Sequence, residues 1–417
     1  MGGNKLLEIV FTIPPIKDQD NIVKRLNSLS EQTMKLEANY KQKTADLEEL
    51  KNRCSLRRLR GSCRSFFVVC KPVCYTLTMK FTRTKKLLFA NNKGGVGKTT
   101  LAFNCAMSFA KRGYKTVLVD LDPQCNLSRL ALGDTYYEKN LFSSEEKDMY
   151  DVLKGVTEGG GDIDLSVPFI PVPNSEGNLS LLKGSVNLSL YENLLVTAYG
   201  QAASGQQIGY FQTSAIDRFL RERGLRDEVD IFVIDTSPSL SLLNQIIFLG
   251  MDYFVVPMLP DAFSVQGIEN LGRMFEKWKQ NWKVTGKALS GNTENKFVLS
   301  GEGLFIGYIV NSYNVYGKQP IKDHRRWIEE IPQRVKENLS EKHGRNGLVE
   351  KSWKSPIAEI QDYGRIPAKC QEIGVAIFDL DPSLVEDVHQ GTKENIEKSK
   401  EEFNILSENV LKILTDY

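Results

Sequence analysis

The stretch NNKGGVGKTT, residues 91–100, has the composition of a loop that binds phosphate. Its glycines allow tight backbone turns that present N–H groups to phosphate oxygens, and a helix that follows adds its positive N-terminal end. Lys98 is placed to contact the β- and γ-phosphates of a nucleotide, and the Thr99 hydroxyl is placed to ligate Mg²⁺. The predicted nucleotide contacts of the loop are Gly94, Gly95, Val96, Gly97, Lys98, Thr99 and Thr100.

Three aspartates follow apolar segments elsewhere in the chain. Asp120 and Asp122 end the segment KTVLVDLDPQ, and Asp235 lies in DIFVIDTSPS. Ligands bind at the carboxyl edge of parallel sheets, and side chains two apart in a strand point to the same side. We therefore expect all three carboxylates beside the phosphate loop, where a carboxylate such as Asp235 can hold Mg²⁺ through water.

Short apolar segments alternate with helical patterns from Lys86 onward. Between the first two segments, TLAFNCAMSFAKRG has a helical apolar face and a glycine, Gly113, that is placed to end the helix. Strands buried on both faces have this nearly continuous apolar composition, and strand–helix alternation predicts an α/β fold with a doubly wound, mainly parallel sheet. The predicted strands are Leu87–Asn91, Thr116–Asp122, Leu179–Leu182, Ile231–Thr236, Tyr253–Met258 and Phe305–Asn311.

The motifs KGGVGKTT, VLVDLDPQCNLS, FVIDTSPSLSLLNQ and VVPMLPDAFSVQGIENL occur in this order. With the weaker matches LSLLKGSVNLSLYE and IPAKCQEIGVAIFDL, they resemble the ParA/MinD group of deviant Walker A ATPases over most of residues 86–380. The resemblance implies a P-loop NTPase fold that takes ATP and Mg²⁺ and forms a nucleotide-sandwich homodimer.

The resemblance also implies roles for individual residues at the phosphates. Lys93 would reach across the dimer to phosphates bound by the other subunit, and a compact charge on a flexible stem suits that task. Asp122 would orient the attacking water. Asp120 would support the Mg²⁺ shell, and Asp235 would be the Walker B acid, so that the predicted metal-binding set is Thr99, Asp120 and Asp235.

Two further residues are implied near the adenine base. Asn311, in YIVNSYN, matches a position that often meets adenine, and Pro257 belongs to the segment that would frame the base pocket. Because phosphoryl transfer depends mainly on positioning and charge, a slow basal hydrolysis is expected until a partner improves the geometry.

Members of the group differ in what the ATP-bound dimer contacts. ParA-like members bind nonspecific DNA and work with a ParB-like partner, and the ParA-like interpretation is favoured for this chain. MinD-like members bind membrane through a C-terminal helix, but the polar face of residues 395–417 is net acidic, which disfavours anionic lipid. We expect this helix to dock on the protein's own core. A nucleotide-gated interaction scaffold or positioning ATPase without DNA cargo stays open as the alternative.

Candidate DNA contacts fall in two basic stretches, although each is also consistent with a solvated helix face. The candidate DNA contacts are Lys318, Lys322, Arg325, Arg326, Lys277 and Lys283.

Relatives that hold metal clusters need cysteines at the dimer seam or in a Cys-x-x-Cys pair, which the predicted ATPase domain lacks.

The N-terminal part has a different pattern. Apolar positions in residues 22–50 recur at alternating steps of four and three, which predicts a coiled-coil-like helix. Residues 12–52 resemble the C-terminal conserved helix of type I restriction specificity subunits. We interpret residues 1–52 as a helical coiled-coil segment, 53–78 as an unstructured basic linker that contains cysteines, and 79–417 as the ParA-like ATPase domain. We expect residues 1–78 to be a gene-fusion or read-through remnant.

Composition sets the remaining expectations. Hydrophobic residues make up 41% and charged residues 25% of the 417-residue chain, as in ordinary soluble proteins. No apolar run approaches the roughly 18 residues of a membrane span, and no secretory signal is visible, so a cytoplasmic protein without membrane contact is expected. The net charge is +2, but residues 1–78 contribute +6, so DNA binding by the larger part would need a local basic patch.

Overall fold

The computed structural model describes residues 81, 83–140, 146–288, 297–311, 315–316, 319–320, 322–345, 352–385 and 390–416, all of which belong to the compact unit Tyr75–Tyr417. The side chains of residues 287–288, 315–316, 319–320, 322–325 and 390 are outside this description. The predicted N-terminal helix and basic linker also lie outside the described residues, so both stay predictions.

A mainly parallel eight-stranded sheet organises the described chain. Its order is β10-β7-β6-β1-β5-β2-β4-β3, every pairing is parallel except that of β3 with β4, and β8 pairs with β9 in a separate hairpin. The strands are β1 (Lys85–Phe89), β2 (Thr116–Leu121), β3 (Ile170–Pro171), β4 (Leu179–Leu182), β5 (Ile231–Thr236), β6 (Tyr253–Met258), β7 (Leu304–Asn311), β8 (Val315–Tyr316), β9 (Gln319–Pro320) and β10 (Ala358–Ile360).

Helices cover both faces of the sheet. A π-helical turn (Lys336–Ser340) joins α10 to α11, and two 3₁₀ turns (Ile377–Asp379 and Pro382–Leu384) follow α12. The helices are α1 (Lys98–Lys111), α2 (Asn126–Leu132), α3 (Asp134–Asn140), α4 (Met149–Thr157), α5 (Leu188–Ala203), α6 (Gln207–Thr213), α7 (Ala215–Arg226), α8 (Leu242–Gly250), α9 (Ala262–Ala288), α10 (Lys322–Val335), α11 (Glu341–His343), α12 (Ile366–Ile373) and α13 (Gln390–Asp416).

The apolar core is split by the sheet into two layers. Leu87 and Phe89 of β1 face the layer formed with α1, α2, α12 and α13, while Leu88 faces the layer formed with α4, α5, α7, α8 and α9. This alternation follows from the two-residue period of a strand. The structure therefore confirms the predicted doubly wound α/β fold.

Strand β1 begins two residues earlier than the sequence predicts and ends at Phe89 instead of Asn91. A lysine is rarely buried in a strand. Lys86 is nevertheless 7% exposed, because its ammonium group bonds to Asp217 and to the Gly250 carbonyl, each at 2.5 Å. These partners lie more than a hundred residues away, so no local pattern indicates them.

The C-terminal helix α13 packs against the core. Phe403, Leu406, Val410 and Leu414 of its apolar stripe are each at most 1% exposed. The Ser108 hydroxyl of α1 donates to the Ser407 hydroxyl at 2.8 Å. The predicted docking of this helix on the protein's own core is confirmed, and these four side chains are not available to a lipid surface.

A buried histidine gives the folded chain a sensitivity to acid. His343 is 2% exposed, its Nε2 lies 3.2 Å from the Gly272 carbonyl, and its ring lies near Phe254 and Phe275. Burial, aided by the charge of Lys279, lowers the pKa of His343 to about 4. The unfolded pKa is about 6.5, so the unfolded chain binds a proton at a higher pH than the folded chain does. The free energy of unfolding therefore falls as the pH falls from about 6.5 to about 4.

We predict that His343→Leu will reduce this acid sensitivity. Between pH 7 and pH 4, the free energy of unfolding of the parent should fall by about 2–3 kcal/mol more than that of the variant. Urea unfolding curves of both proteins at the two pH values measure the difference. An equal fall in both would show that His343 is not the titrating group.

Candidate nucleotide site

The phosphate loop lies between the end of β1 and the start of α1, as the sequence predicts. Gly95 and Gly97 have φ angles of +76° and +79°, a region that side chains rarely adopt. A Cβ atom at Gly97 would lie 2.1 Å from the Asn311 side-chain nitrogen. The loop therefore needs glycine at position 97 for both its conformation and its packing, and it leads directly into the N-terminus of α1.

Lys98, Thr99 and Asp235 form one polar cluster at the start of α1. The Lys98 ammonium group donates to an Asp235 carboxylate oxygen and to the Thr236 carbonyl, and the Thr99 hydroxyl donates to the other Asp235 oxygen at 2.7 Å. Lys98 is 7% exposed and Asp235 is fully buried. The cluster thus brings together the predicted phosphate-binding lysine, the predicted metal ligand Thr99 and the predicted Walker B acid.

These residues fit a magnesium ion bound together with phosphate. The Thr99 hydroxyl and the Asp235 carboxylate are hard oxygen donors already in contact, and Mg²⁺ is commonly held by few protein oxygens and the substrate phosphates. Among the described residues, no three His, Cys, Asp or Glu side chains form a group that would hold a metal without such help. A metal ion here would therefore depend on the nucleotide.

Asp120 and Asp122 occupy different environments, although both lie near the loop. Asp120 is fully buried, and one of its oxygens accepts from both the Ser128 amide and hydroxyl, at 2.8 and 2.7 Å. It pairs in register with Asp235, and burial first, then that neighbouring charge, raises its pKa to about 7. Asp120 is not among the residues that line the cavity, so its predicted support of the metal shell would act through its neighbours and stays a prediction.

Asp122 does face the cavity beside the loop. Its carboxylate accepts from the Gln124 amide at 2.9 Å, and the side chain lines the same space as Lys98. Burial raises the pKa of Asp122, while the Gln124 hydrogen bond and the charge of Lys98 oppose that rise. A carboxylate with a raised pKa at this place suits the predicted contact with an attacking water.

Lys93 is held within its own chain. Its ammonium group lies 2.6 Å from the Asp261 carboxylate and 5.8 Å from the centre of the Phe263 ring, and Phe263 is 73% exposed. Asp261 also accepts from the Ser264 amide at 2.7 Å, at the start of α9. Burial opposes ionisation of Asp261, but the hydrogen bonds from Lys93 and Ser264 together lower its pKa. Unlike Lys98, Lys93 keeps 26% of its side chain exposed and can leave this position.

The cavity around the loop has a volume of about 340 Å³. Sequence reasoning missed the residues that α2 and α12 contribute, because nothing local in those helices indicates phosphate. The IPAKCQEI segment gave only a weak family match. The lining residues are Lys93, Gly94, Gly95, Val96, Gly97, Lys98, Thr99, Thr100, Asp122, Asn126, Leu130, Pro238, Pro367, Ala368 and Gln371.

The two predicted adenine contacts support the loop in the structure. Asn311 donates to the Val96 carbonyl at 2.9 Å, and the Pro257 carbonyl accepts from Asn91 at 2.5 Å. Neither residue lines the cavity at the phosphate loop. Their roles toward adenine stay predictions, while their contacts connect β6 and β7 to the loop.

Residues 84–287 match a protein family described as AAA domain. The chain is 26% identical over 237 residues to the virulence plasmid ParA family protein pGP5-D of Chlamydia psittaci, a match that covers 55% of this chain and 79% of that protein. It is 31% identical over 192 residues to the chromosome partitioning protein ParA of Caulobacter vibrioides, covering 46% and 62% of the two chains.

Solved structures show the same fold. Protein DIP2308 of Corynebacterium diphtheriae is similar with a TM-score of 0.60 and 23% identity, over 80% of this chain and 99% of that one. The ATP complex of the McdA(D38A) protein of Cyanothece is similar with a TM-score of 0.50 and 16% identity, over 76% and 97% of the two chains. Among the described residues, no helix has the length and apolar character that a bilayer crossing requires. The family match, the partitioning relatives and the shared fold together support a ParA-like P-loop ATPase.

Proposed function

We propose that this chain is an ATP-driven switch of the ParA type, which binds and hydrolyses ATP with Mg²⁺ and dimerises around it. The observation that carries the proposal is the pair of lysines on one loop. Lys98 is buried against Asp235, where it serves the chain's own nucleotide, whereas Lys93 lies at the rim on a flexible stem. A partly exposed lysine on a flexible stem at the rim suits contact with phosphates bound by a second subunit.

Hydrolysis would use the groups already assembled at the carboxyl edge of the sheet. A water oxygen attacks the γ-phosphorus, the bond to the β–γ bridging oxygen breaks, and ADP leaves with the electron pair. Asp122 orients the water and accepts one of its protons as the water oxygen becomes an oxygen of inorganic phosphate, while Lys98 balances charge that develops on the phosphate oxygens. Thr99 and Asp235 would hold Mg²⁺, which would supply positive charge to the phosphate oxygens.

The proposed cargo is nonspecific DNA, with a ParB-like activating protein as partner. The names of the relatives support this cargo, because they are partitioning and plasmid proteins. Lys277 and Lys283 are exposed on α9 and have no ion pair among the described residues, which leaves them free to meet phosphate. Arg326 is also exposed but lies 3.3 Å from Glu330. Lys318, Lys322 and Arg325 have side chains outside the described part and stay candidates.

Retention of nonspecific duplex DNA by the full chain tests this proposal. With ATP we expect retention that ADP does not support and that weakens steeply with salt, because phosphate contacts release counterions. The double variant Lys277→Glu/Lys283→Glu should weaken retention while leaving ATP hydrolysis unchanged. Retention that is absent or indifferent to the nucleotide would overturn the DNA proposal and favour the nucleotide-gated scaffold.

A further inference from the structure

The loop of residues 236–241 connects the Walker B strand to α8 and passes beside the nucleotide site. At its start, the Thr236 carbonyl accepts from the Lys98 ammonium group. At its middle, Pro238 lines the phosphate cavity, and its Cγ would lie 3.9 Å from a Cβ placed on Gly94. A movement of this loop would therefore change the surface presented to the terminal phosphate.

One side chain holds the rest of this loop. The Asn244 amide nitrogen donates to the Ser239 carbonyl at 2.7 Å and to the Ser237 carbonyl at 2.8 Å. Asn244 is 7% exposed and lies in the first turn of α8, where the Ser241 hydroxyl caps its backbone amide at 3.3 Å. A rigid helix thus fixes two carbonyls of the loop through a single amide group.

The other end of the same amide is unpaired. Asn244 Oδ1 is buried and accepts no hydrogen bond from the described residues. An unsatisfied buried acceptor destabilises the fold, so a purely structural brace would be expected to use both ends of the amide. This destabilisation indicates that the amide is kept for what it does to the loop rather than for stability alone.

We propose that Asn244 is the positioning residue for the 236–241 loop during ATP hydrolysis, an inference that rests on the proposed ATPase function. When Lys98 turns to a bound phosphate, it gives up the Thr236 carbonyl, and the bonds from Asn244 then hold the loop. Asn244 fixes where Ser237 and Pro238 stand when the terminal phosphate is attacked. It acts through the loop and touches no reacting atom.

The variants Asn244→Asp and Asn244→Ala test this role. The first keeps the shape and removes the donor, and the second removes the amide without adding charge. We expect kcat for ATP to fall about tenfold or more, with KM changed less than about twofold. The reason is that the 236–241 loop would act on the terminal phosphate in the transition state and not in nucleotide binding. The tryptophan emission of the protein should shift in both variants, because Trp278, one of its four tryptophans, lines the same space as Asn244 and Leu240.

A matched variant separates positioning from loss of structure. Asn338→Asp makes the same chemical change at a buried asparagine whose amide donates to the Arg334 carbonyl at 3.0 Å, away from the nucleotide site. It should leave kcat and tryptophan emission unchanged. An unchanged kcat in both Asn244 variants, or an equal fall in Asn338→Asp, overturns the inference. If the parent protein itself hydrolyses no ATP, the proposed function fails instead, and unchanged tryptophan emission in the Asn244 variants would then overturn the positioning role separately.

Discussion

Replacing Lys98 with alanine will lower ATP hydrolysis by about a hundredfold to a thousandfold and will also weaken the fold in the absence of nucleotide. The first effect follows from the loss of a charge that stabilises the transferred phosphoryl group. The second follows from Asp235, a fully buried carboxylate whose cationic partner is Lys98. Breaking a buried ion pair from one side costs about 3–5 kcal/mol, because the remaining charge is left uncompensated.

The two effects of this substitution can be separated by a second change. In Lys98→Ala/Asp235→Asn the orphaned charge is gone, so the free energy of unfolding should return toward that of the parent while hydrolysis stays lost. Urea unfolding and phosphate release, measured on the parent and on both variants, give the comparison. A single variant as stable as the parent would show that the Lys98–Asp235 pair contributes little to the fold.

Replacing Lys93 with alanine will abolish ATP-dependent dimerisation and lower hydrolysis by about a hundredfold, while leaving nucleotide binding and stability nearly intact. The ion pair with Asp261 is partly exposed, with 26% and 36% of the two side chains accessible, and such pairs contribute about 0–1 kcal/mol. In the proposed dimer, the charge of Lys93 would act mainly on phosphates bound by the second subunit. Sedimentation with ATP and with ADP, alongside hydrolysis rates, measures both effects.

Lys111 offers a matched control for this variant. It lies at the other end of α1, and its ion pair with Asp379 has the same 2.6 Å length and a similar exposure, 33% and 21%. Lys111→Ala should dimerise and hydrolyse ATP as the parent does. Dimerisation of Lys93→Ala with ATP at the parent's affinity would contradict the role of Lys93 across the interface.

Features whose determinants lie close together in sequence could be predicted. Strands β5 and β6 have the predicted bounds because each is a continuous apolar run, and the phosphate loop follows from its own ten residues. For Lys98 and Asp235, the sequence predicts only that Asp235 lies at the sheet edge beside the phosphate loop. The rule that ligands bind at the carboxyl edge of a parallel sheet predicts that these residues are neighbours. It does not predict the hydrogen bonds that Lys98 and Thr99 form with Asp235.

Contacts between distant segments could not be predicted from local patterns. Lys93 and Asp261 are 168 residues apart, and Asn311 contacts Val96 across 215 residues. The family resemblance predicts that Asn311 contacts adenine, and in the structure its amide donates to the Val96 carbonyl of the loop. The contribution of α12 to the cavity could not be predicted for the same reason, because its lining residues follow the loop by more than 260 positions.

In the proposed ATPase, the contact between Lys98 and Asp235 would make nucleotide binding an exchange of the cation that neutralises Asp235. Without nucleotide, the chain's own lysine neutralises Asp235, so the fold needs no ion there. If phosphate draws Lys98 away as proposed, the Asp235 carboxylate would need a new cation, which Mg²⁺ bound with ATP would supply. Breaking the Lys98–Asp235 ion pair would oppose nucleotide binding. The affinity for ATP would therefore be lower than the phosphate contacts alone would give. In the proposed cycle, Lys98 would return to Asp235 when ADP dissociates, so no buried carboxylate would be left without a counter-charge and nucleotide binding would be reversible.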